Sequence, residues 1–209
     1  MNREIKKNEI PENVINDLYF GEERIDLEYK GDIPWSSKNK KFEIIKTIFA
    51  MANQRGGGTI VIGVKDDGER IGLSVKNYNS YPYKGIGDFI NARASQPVYC
   101  EMKKYTHTDK KDNKKKRFVY VQITPCKEIP TIYTGKQELN NNNKPAYSSN
   151  VSLRTGALYI RNEIVTGNKE ISTPQEWKKL LEEKIRQWRR ETLRRYFLVK
   201  TKKQRNEYL

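Results

Sequence analysis

The sequence predicts a mixed α/β fold, in which a sheet is flanked by helices and followed by a long C-terminal helix. In some segments apolar residues recur every three or four positions, which is the period of a helix, and in others they alternate, which is the period of a strand. The two kinds of segment alternate along the chain, as they do in α/β proteins. The length of 209 residues suits one large domain or one domain with an appendage.

Five short segments carry the strand pattern of alternating or β-branched apolar residues. In the first of them Ile25, Leu27 and Tyr29 are expected to face inward, so Glu28 is expected to face outward. We predict one sheet from the segments 25–30, 59–64, 98–105, 117–123 and 157–161.

Helical periodicity predicts helices at residues 11–19, 41–54, 84–94 and 174–198. The last begins with Pro174 after Thr173, an N-cap residue followed by proline at the first helical position. We interpret its apolar stripe as a packing face with a solvated basic back. The alternative is an arm that docks on phosphate or on a partner subunit. The stripe consists of Trp177, Leu180, Leu181, Ile185, Trp188, Thr192 and Tyr196.

Three consecutive glycines lie at 56–58, between the predicted helix of 41–54 and the strand of 59–64. A phosphate-binding loop has the opposite order, because the helix that follows it points its N-terminus at the phosphate. The C-terminus of a helix carries negative partial charge, which repels phosphate. ATP binding is therefore not expected, and the glycines are predicted to end the helix.

The segment Asp66-Asp67-Gly68 has the composition of a tight turn. It follows the strand of 59–64, and residues 70–73 contain two more apolar positions. We therefore predict a hairpin, with residues 70–73 as the returning strand.

The chain is strongly basic, with a formal net charge of +15 at pH 7, and a polyanion is its expected partner. No transmembrane helix is expected, because no apolar run approaches ~20 residues. Membrane association is not expected either, because the basic C-terminal helix lacks a clean apolar face wide enough to insert into lipid. Residues 1–7 lack the apolar core of a signal peptide. Cys100 and Cys126 lack metal-ligand spacing and are predicted to be buried thiols, so we expect a cytoplasmic protein.

Basic residues are candidates to hold the phosphates of a nucleic acid. Most of them lie at the tip between the strands of 98–105 and 117–123, and others lie at the end of the last strand and on the C-terminal helix. The candidates are Lys110, Lys111, Lys114, Lys115, Lys116, Arg117, Arg161, Arg189 and Arg190.

Several motifs occur in a fixed order along the chain. They are GEE at 21–23, EYK at 28–30, ANQRGG at 52–57, IGVKDDG at 62–68 and LYIR at 158–161. Their order and spacing resemble those of the Schlafen-type AlbA-like domain, over about residues 15–165. The resemblance implies such a domain at 1–165 and a basic C-terminal helix and tail at 166–209.

The resemblance also implies a catalytic site. Nuclease members of that family cut RNA with three acidic residues and a divalent metal ion, and the matching residues here are Glu23, Glu28 and Asp66. Lys30 matches the lysine beside the second glutamate and would stabilise charge that develops on a phosphate. Carboxylate oxygens suit Mg²⁺ or Mn²⁺ rather than Zn²⁺. The sequence departs from the family at Tyr29, where phenylalanine is usual, and at Arg24, which replaces serine and places a cation next to the site.

The acids also have plain structural interpretations. An offset of five puts Glu23 and Glu28 on opposite faces of an ideal strand, so they converge only if Glu23 lies in the turn before the strand. Asp66 fits a turn by composition alone. Glu22 could replace Glu23 as a ligand.

Two functions are therefore open. The first is a metal-dependent endonuclease that acts on RNA, either tRNA-like or otherwise structured. The second is a non-catalytic nucleic-acid-binding module or accessory subunit. RNA is favoured over DNA by the resemblance, and both a homodimer and a subunit of a larger assembly stay open.

Overall fold

The computed structural model describes residues 10–82, 84–127, 129–136, 153–162 and 167–206, and on the last helix it describes side chains as far as residue 196, apart from residue 195. In these residues the elements are α1 (Glu12–Tyr19), β1 (Leu27–Lys30), α2 (Lys38–Asn53), β2 (Gly58–Ile62), α3 (Val75–Ser80), α4 (Ile86–Asn91), β3 (Cys100–Thr108), β4 (Lys115–Ile123), β5 (Tyr159–Arg161), β6 (Asn168–Glu170) and α5 (Pro174–Asn206).

The main sheet has four strands in the order β1-β2-β4-β3. β1 and β2 run parallel, with Leu27 opposite Thr59 and Lys30 opposite Ile62. β4 is antiparallel to both β2 and β3. The predicted α/β class is confirmed, and the carboxyl ends of β1 and β2 meet at one edge of the sheet.

Helices cover both faces of this sheet. On one face α2 buries apolar side chains such as Ile45 and Phe49 against Ile60 and Ile62 of β2. On the other face α1 contributes Val14 and Leu18 to a smaller cluster with Leu27, Tyr29 and Val61. β1 is therefore enclosed on both sides, which explains why its residues are buried in succession.

The prediction that residues 157–161 belong to the main sheet was wrong. β5 pairs antiparallel with β6 in a separate two-stranded sheet. Asn53, at the end of α2, holds this second sheet, because its amide donates to the carbonyl oxygens of Tyr159 at 3.0 Å and Thr131 at 2.9 Å. β6 had not been predicted, because its sequence, Asn-Lys-Glu, has no apolar residue to show a strand period.

The prediction of a returning strand at 70–73 was also wrong. The turn after β2 does form, and its Gly68 N–H donates to the carbonyl of Lys65. However, Arg70 makes only a single bridge to Val64, and the antiparallel neighbour of β2 in the sheet is β4. The tight-turn composition was thus a correct local signal, whereas the pairing depended on a strand much later in the chain.

The glycine segment at 56–58 ends a helix, as predicted. Gly57 has a φ of +70°, and a Cβ there would lie 2.1 Å from the carbonyl oxygen of Ile123. Only glycine allows both this conformation and the close approach of the segment after α2 to β4.

The apolar stripe of α5 packs as predicted only at Leu180 among its described side chains. Of all the side chains that the structure describes on α5, those of Leu180 and Lys184 are buried. Leu180 packs with Leu158 and Ile171, and the Lys184 ammonium donates to the carbonyl of Cys126. No helix in the described residues is both long and apolar enough to cross a membrane.

Candidate active site and nucleic-acid interface

The segment before β1 folds back on the strand and brings Glu23 to the sheet edge. Gly21 turns the chain with a φ of +96°, and Arg24 bridges to Leu27. The Glu23 carboxylate then accepts a hydrogen bond of 2.9 Å from the backbone N–H of Tyr29. Glu23 therefore lies in the turn before β1, and the offset of five does not separate it from Glu28.

Glu28 is buried, contrary to the prediction that it faces outward. It is 4% exposed and lies on the α2 side of the sheet. Both of its carboxylate oxygens are used: Oε1 accepts from the Lys30 ammonium at 2.5 Å and Oε2 from the Arg161 guanidinium at 2.6 Å. A buried carboxylate requires such partners, because an unpaired charge is costly away from water.

Arg161 is itself 5% exposed, so it contacts Glu28 rather than the phosphate that the sequence suggested. Its Nε and Nη2 donate to the carbonyl oxygens of Ile25 and Arg24, each at 3.1 Å. Its Nη1 also donates to Asn168 at 3.0 Å. Arg161 thus connects the second sheet to the turn before β1 and holds that turn in place. The sequence does not indicate this role, because Arg161 and Glu28 are 133 residues apart.

Lys30 lies between the two glutamates. Its Nζ is 2.5 Å from Glu28 Oε1 and 4.0 Å from Glu23 Oε1, and it also donates to the carbonyl of Tyr29 at 2.8 Å. The ammonium therefore occupies the position between the carboxylates that a metal ion would need.

Asp66 is exposed in the turn after β2. This turn lies directly against the Gly21 turn, because a Cβ on Gly68 would be 2.2 Å from the carbonyl oxygen of Gly21. Asp66 is close enough for its charge to affect the pKa of Glu23. We call the set of Glu23, Glu28, Lys30, Asp66 and Arg161 the acidic corner.

Burial raises the pKa of Glu23 above its ordinary value, and the charge of Glu28 raises it further. The hydrogen bond from Tyr29 and the charge of Lys30 act in the opposite direction, and Asp66 adds a smaller upward effect. A carboxyl whose pKa is perturbed by burial and by neighbouring carboxylates is a frequent mark of a functional site.

The acidic corner suits a hard metal ion in its chemistry but not in its present arrangement. Its carboxylate oxygens are the ligands that Mg²⁺ and Mn²⁺ prefer. However, in the described part of the chain no group of three or more acidic, histidine or cysteine side chains is arranged to hold a metal ion. Both oxygens of Glu28 are engaged by Lys30 and Arg161. An ion would have to displace Lys30.

Arg24 does not point its charge at the acidic corner. Its guanidinium lies 4.0 Å from the ring centroid of Phe20 and forms ion pairs with Asp17 at 3.4 Å and Asp26 at 3.0 Å. The departure from the family's serine is therefore accommodated on the α1 side of the turn.

The profile of the family described as "Schlafen, AlbA_2" matches residues 23–164, which is most of the chain. The chain belongs to the Schlafen AlbA_2 family. Membership suggests a function related to nucleic acid, and it covers the acidic corner from Glu23 to Arg161.

The similarity of this Schlafen AlbA_2 chain to solved structures is low. The crystal structure of the DIP2311 protein from Corynebacterium diphtheriae is similar at 13% identity with a TM-score of 0.43. The match covers 74% of this chain and 23% of that protein. Among curated proteins, none matched the sequence.

The basic tip of the Schlafen AlbA_2 domain is the end of the β3–β4 hairpin. We use "basic tip" for its four exposed lysines, which are Lys110, Lys111, Lys114 and Lys115. Arg117 is half-buried in β4, and Arg189 and Arg190 are exposed on α5.

Lys116 differs from the lysines of the basic tip, although the sequence grouped it with them. Its ammonium is paired with Asp109 at 2.8 Å and Asp112 at 2.9 Å, and it is half-buried. Burial alone would raise the pKa of Asp109, but hydrogen bonds from Lys116 and from the Lys111 backbone, together with the charge of Arg70, lower it strongly. Lys116 therefore stabilises the hairpin end and leaves the other four lysines to face solvent.

We expect Glu23→Gln to raise the melting temperature at neutral pH. Because the pKa of Glu23 is raised in the fold, ionising this carboxyl costs stability as the pH rises through that pKa. Glutamine keeps the acceptor for the Tyr29 N–H and removes the charge. The gain should vanish below about pH 3, where the carboxyl is protonated in the folded and unfolded states alike.

Melting curves of wild type and variant over a pH series test this expectation. Glu22→Gln is the matched control, since Glu22 is the exposed neighbour of Glu23. A gain that is the same at pH 3 and at pH 7, or that the control shares, would contradict the assignment of an ionisation cost to Glu23.

Proposed function

We propose that this Schlafen AlbA_2 domain binds nucleic acid, RNA in preference to DNA, through the basic tip. The observation that carries the proposal is the separation of charges at the end of the β3–β4 hairpin. Asp109 and Asp112 are paired with Lys116, and Asp109 also with Arg70, so the four lysines of the basic tip are not neutralised by these acids. Four exposed cations at the end of one hairpin form an electrostatic footprint for phosphates.

The basic tip lies near the acidic corner, so a nucleic acid bound at the tip would come close to Asp66. A depression of about 590 Å³ is lined on one side by the turn that follows Asp66 and on the other by the hairpin end; its lining residues are Asp67, Gly68, Glu69, Arg70, Asp109, Lys111, Asp112 and Lys116. A nucleic-acid backbone held by the basic tip would pass beside the turn that carries Asp66. The preference for RNA rests on the family resemblance rather than on this geometry.

Metal-dependent cleavage of RNA is the second candidate function. It is favoured by the raised pKa of Glu23, which comes from burial and from the nearby carboxylates. Glu23, Glu28 and Asp66 would hold Mg²⁺ or Mn²⁺ after Lys30 had left Glu28. Bound there, such an ion would polarise a phosphodiester. ATP forms no part of this proposal.

The two candidates are separated by incubating the purified protein with a labelled tRNA-like hairpin and with single-stranded DNA, with and without Mn²⁺. Binding of the RNA without cleavage supports the first proposal alone. Cleavage that requires Mn²⁺ supports both. Absence of binding to either nucleic acid at low salt would overturn the function proposed here, whatever the metal.

A further inference from the structure

The C-terminal helix α5 exposes a long apolar face. Trp177, Leu181, Ile185, Trp188 and Tyr196 are between 42% and 61% exposed. They lie at spacings of four, four, three and eight residues, which places them on one side of the helix. A monomeric soluble protein rarely leaves such a continuous apolar stripe uncovered.

The stripe repeats every eleven residues. Trp177 is followed by Trp188, Leu181 by Thr192 and Ile185 by Tyr196, each eleven positions later. An eleven-residue repeat averages 3.67 residues per turn, close to the period of a straight helix, so the stripe keeps one direction along its length. This is the pattern of a helix that packs lengthwise against another helix.

We propose that the stripe is the interface of a homodimer in which two copies of α5 pack antiparallel. The charges beside the stripe favour a second copy. Glu182 and Arg189 are seven residues apart on the same flank of the stripe, and both are exposed. Glu182 also pairs with Arg186 of its own helix at 3.1 Å, but both side chains of this pair are exposed, and such surface pairs contribute only about 0–1 kcal/mol. In an antiparallel pair each flank faces the same flank of the other copy, so Glu182 of each copy meets Arg189 of the other.

A parallel pair would lack this complementarity. In a parallel pair, the flank that carries Glu182 and Arg189 faces the other flank of the partner helix. On that other flank Lys184 is buried against its own domain, and its ammonium donates to the carbonyl of Cys126.

The exposed area of the stripe favours a dimer. An aromatic side chain carries about 150–250 Å² of surface, so the exposed parts of the three rings amount to roughly 300 Å² in each copy. Leu181, Ile185 and the flanking charged side chains add to this over the ~28 Å between residues 177 and 196. Ordinary stable interfaces bury about 800 Å² per partner, so the stripe supplies a substantial part of the area that a dimer needs.

The test is a charge swap followed by sedimentation equilibrium, on protein freed of nucleic acid. Wild type should show a reversible monomer–dimer equilibrium. Glu182→Arg and Arg189→Glu should each weaken dimerisation at least about tenfold, and the double variant should restore it to within about threefold. Trp188→Ala should weaken it by about 30-fold or more. Arg190→Glu, on the opposite side of α5, is the matched control and should leave dimerisation unchanged.

Circular dichroism of each variant checks that α5 stays helical. A wild-type protein that sediments as a monomer at every concentration would overturn the proposal, and a different protein would then be the expected partner of the stripe. A dimer that persists in Trp188→Ala, or one that the double charge swap fails to restore, would overturn the antiparallel α5 interface.

Discussion

Replacing Arg161 by methionine is expected to lower the free energy of unfolding by about 3–5 kcal/mol, because removing one partner of a buried ion pair leaves an uncompensated charge. Glu28 would keep Lys30 but lose the guanidinium that binds its other oxygen at 2.6 Å. The carbonyl oxygens of Arg24 and Ile25 would each lose one of their two donors and keep the other, which is the Leu27 N–H for Arg24 and the Gln54 side-chain amide for Ile25. Methionine fills part of the vacated volume, so the loss measures charge and hydrogen bonding more than cavity formation.

Arg154→Met is the matched control for this experiment. Arg154 forms an ion pair with Glu170, but its side chain is 42% exposed, and such pairs contribute about 0–1 kcal/mol. Urea unfolding of both variants gives the comparison. If Arg161→Met costs no more than the control, Arg161 does not hold the acidic corner together.

In the presence of Mn²⁺ we expect wild type to cleave RNA and Asp66→Asn to lose at least about 100-fold in rate. The substitution removes the charge of a proposed metal ligand while keeping the size of the side chain. RNA affinity should stay the same or rise slightly, because one negative charge near the phosphates is removed. The two effects separate because a catalytic ion acts on the transition state, whereas the basic tip acts on binding.

Asp67→Asn provides a control one residue away. Asp67 is equally exposed, and its Oδ1 accepts the Glu69 N–H at 2.9 Å, a bond that asparagine can keep. Cleavage should be unaffected in this variant. Equal losses in Asp66→Asn and Asp67→Asn would point to a general charge effect, and undiminished cleavage in Asp66→Asn would remove Asp66 from the proposed site.

Local patterns in the sequence were sufficient to predict the strands of the main sheet. Periodicity predicted α2 and β2, and the glycines between them predicted the end of the helix, because both are consequences of short-range geometry. The position of β5 was not predictable in this way. A three-residue strand carries too little period to reveal its partner, and the buried amide of Asn53 that holds it acts across 106 residues.

The acidic corner was predicted in its members but not in its arrangement. The family resemblance selected Glu23, Glu28 and Asp66, and the turn before β1 brings the two glutamates to the same lysine. The inward orientation of Glu28 escaped prediction because the alternation in β1 indicates an outward face. Arg161 compensates the buried charge of Glu28 by forming an ion pair with it. Arg161 lies at the end of the domain, and no local sequence pattern indicates this contact.

Charge patterns were similarly incomplete as predictors. The run of lysines predicted a basic hairpin end, yet Lys116 belongs to an ion-pair cluster with Asp109 and Asp112. The lysines of this run differ in their neighbours across the turn, which composition cannot distinguish. In α5 the apolar stripe was interpreted as a packing face, but the domain covers an adjacent side of the helix at Leu180 and Lys184.

The central claim, that the basic tip binds nucleic acid, is tested most directly by the salt dependence of RNA affinity. Two variants remove the same number of charges: one replaces the four lysines of the basic tip by glutamine, and the other replaces four exposed lysines elsewhere, Lys76, Lys84, Lys127 and Lys136. Removing one lysine–phosphate ion pair lowers the slope of log affinity against log salt by roughly 0.7–0.9. We expect the slope to fall by about 3 in the first variant, if all four lysines bind phosphate, and to be nearly unchanged in the second. Equal slopes in both variants would contradict the assignment of binding to the basic tip.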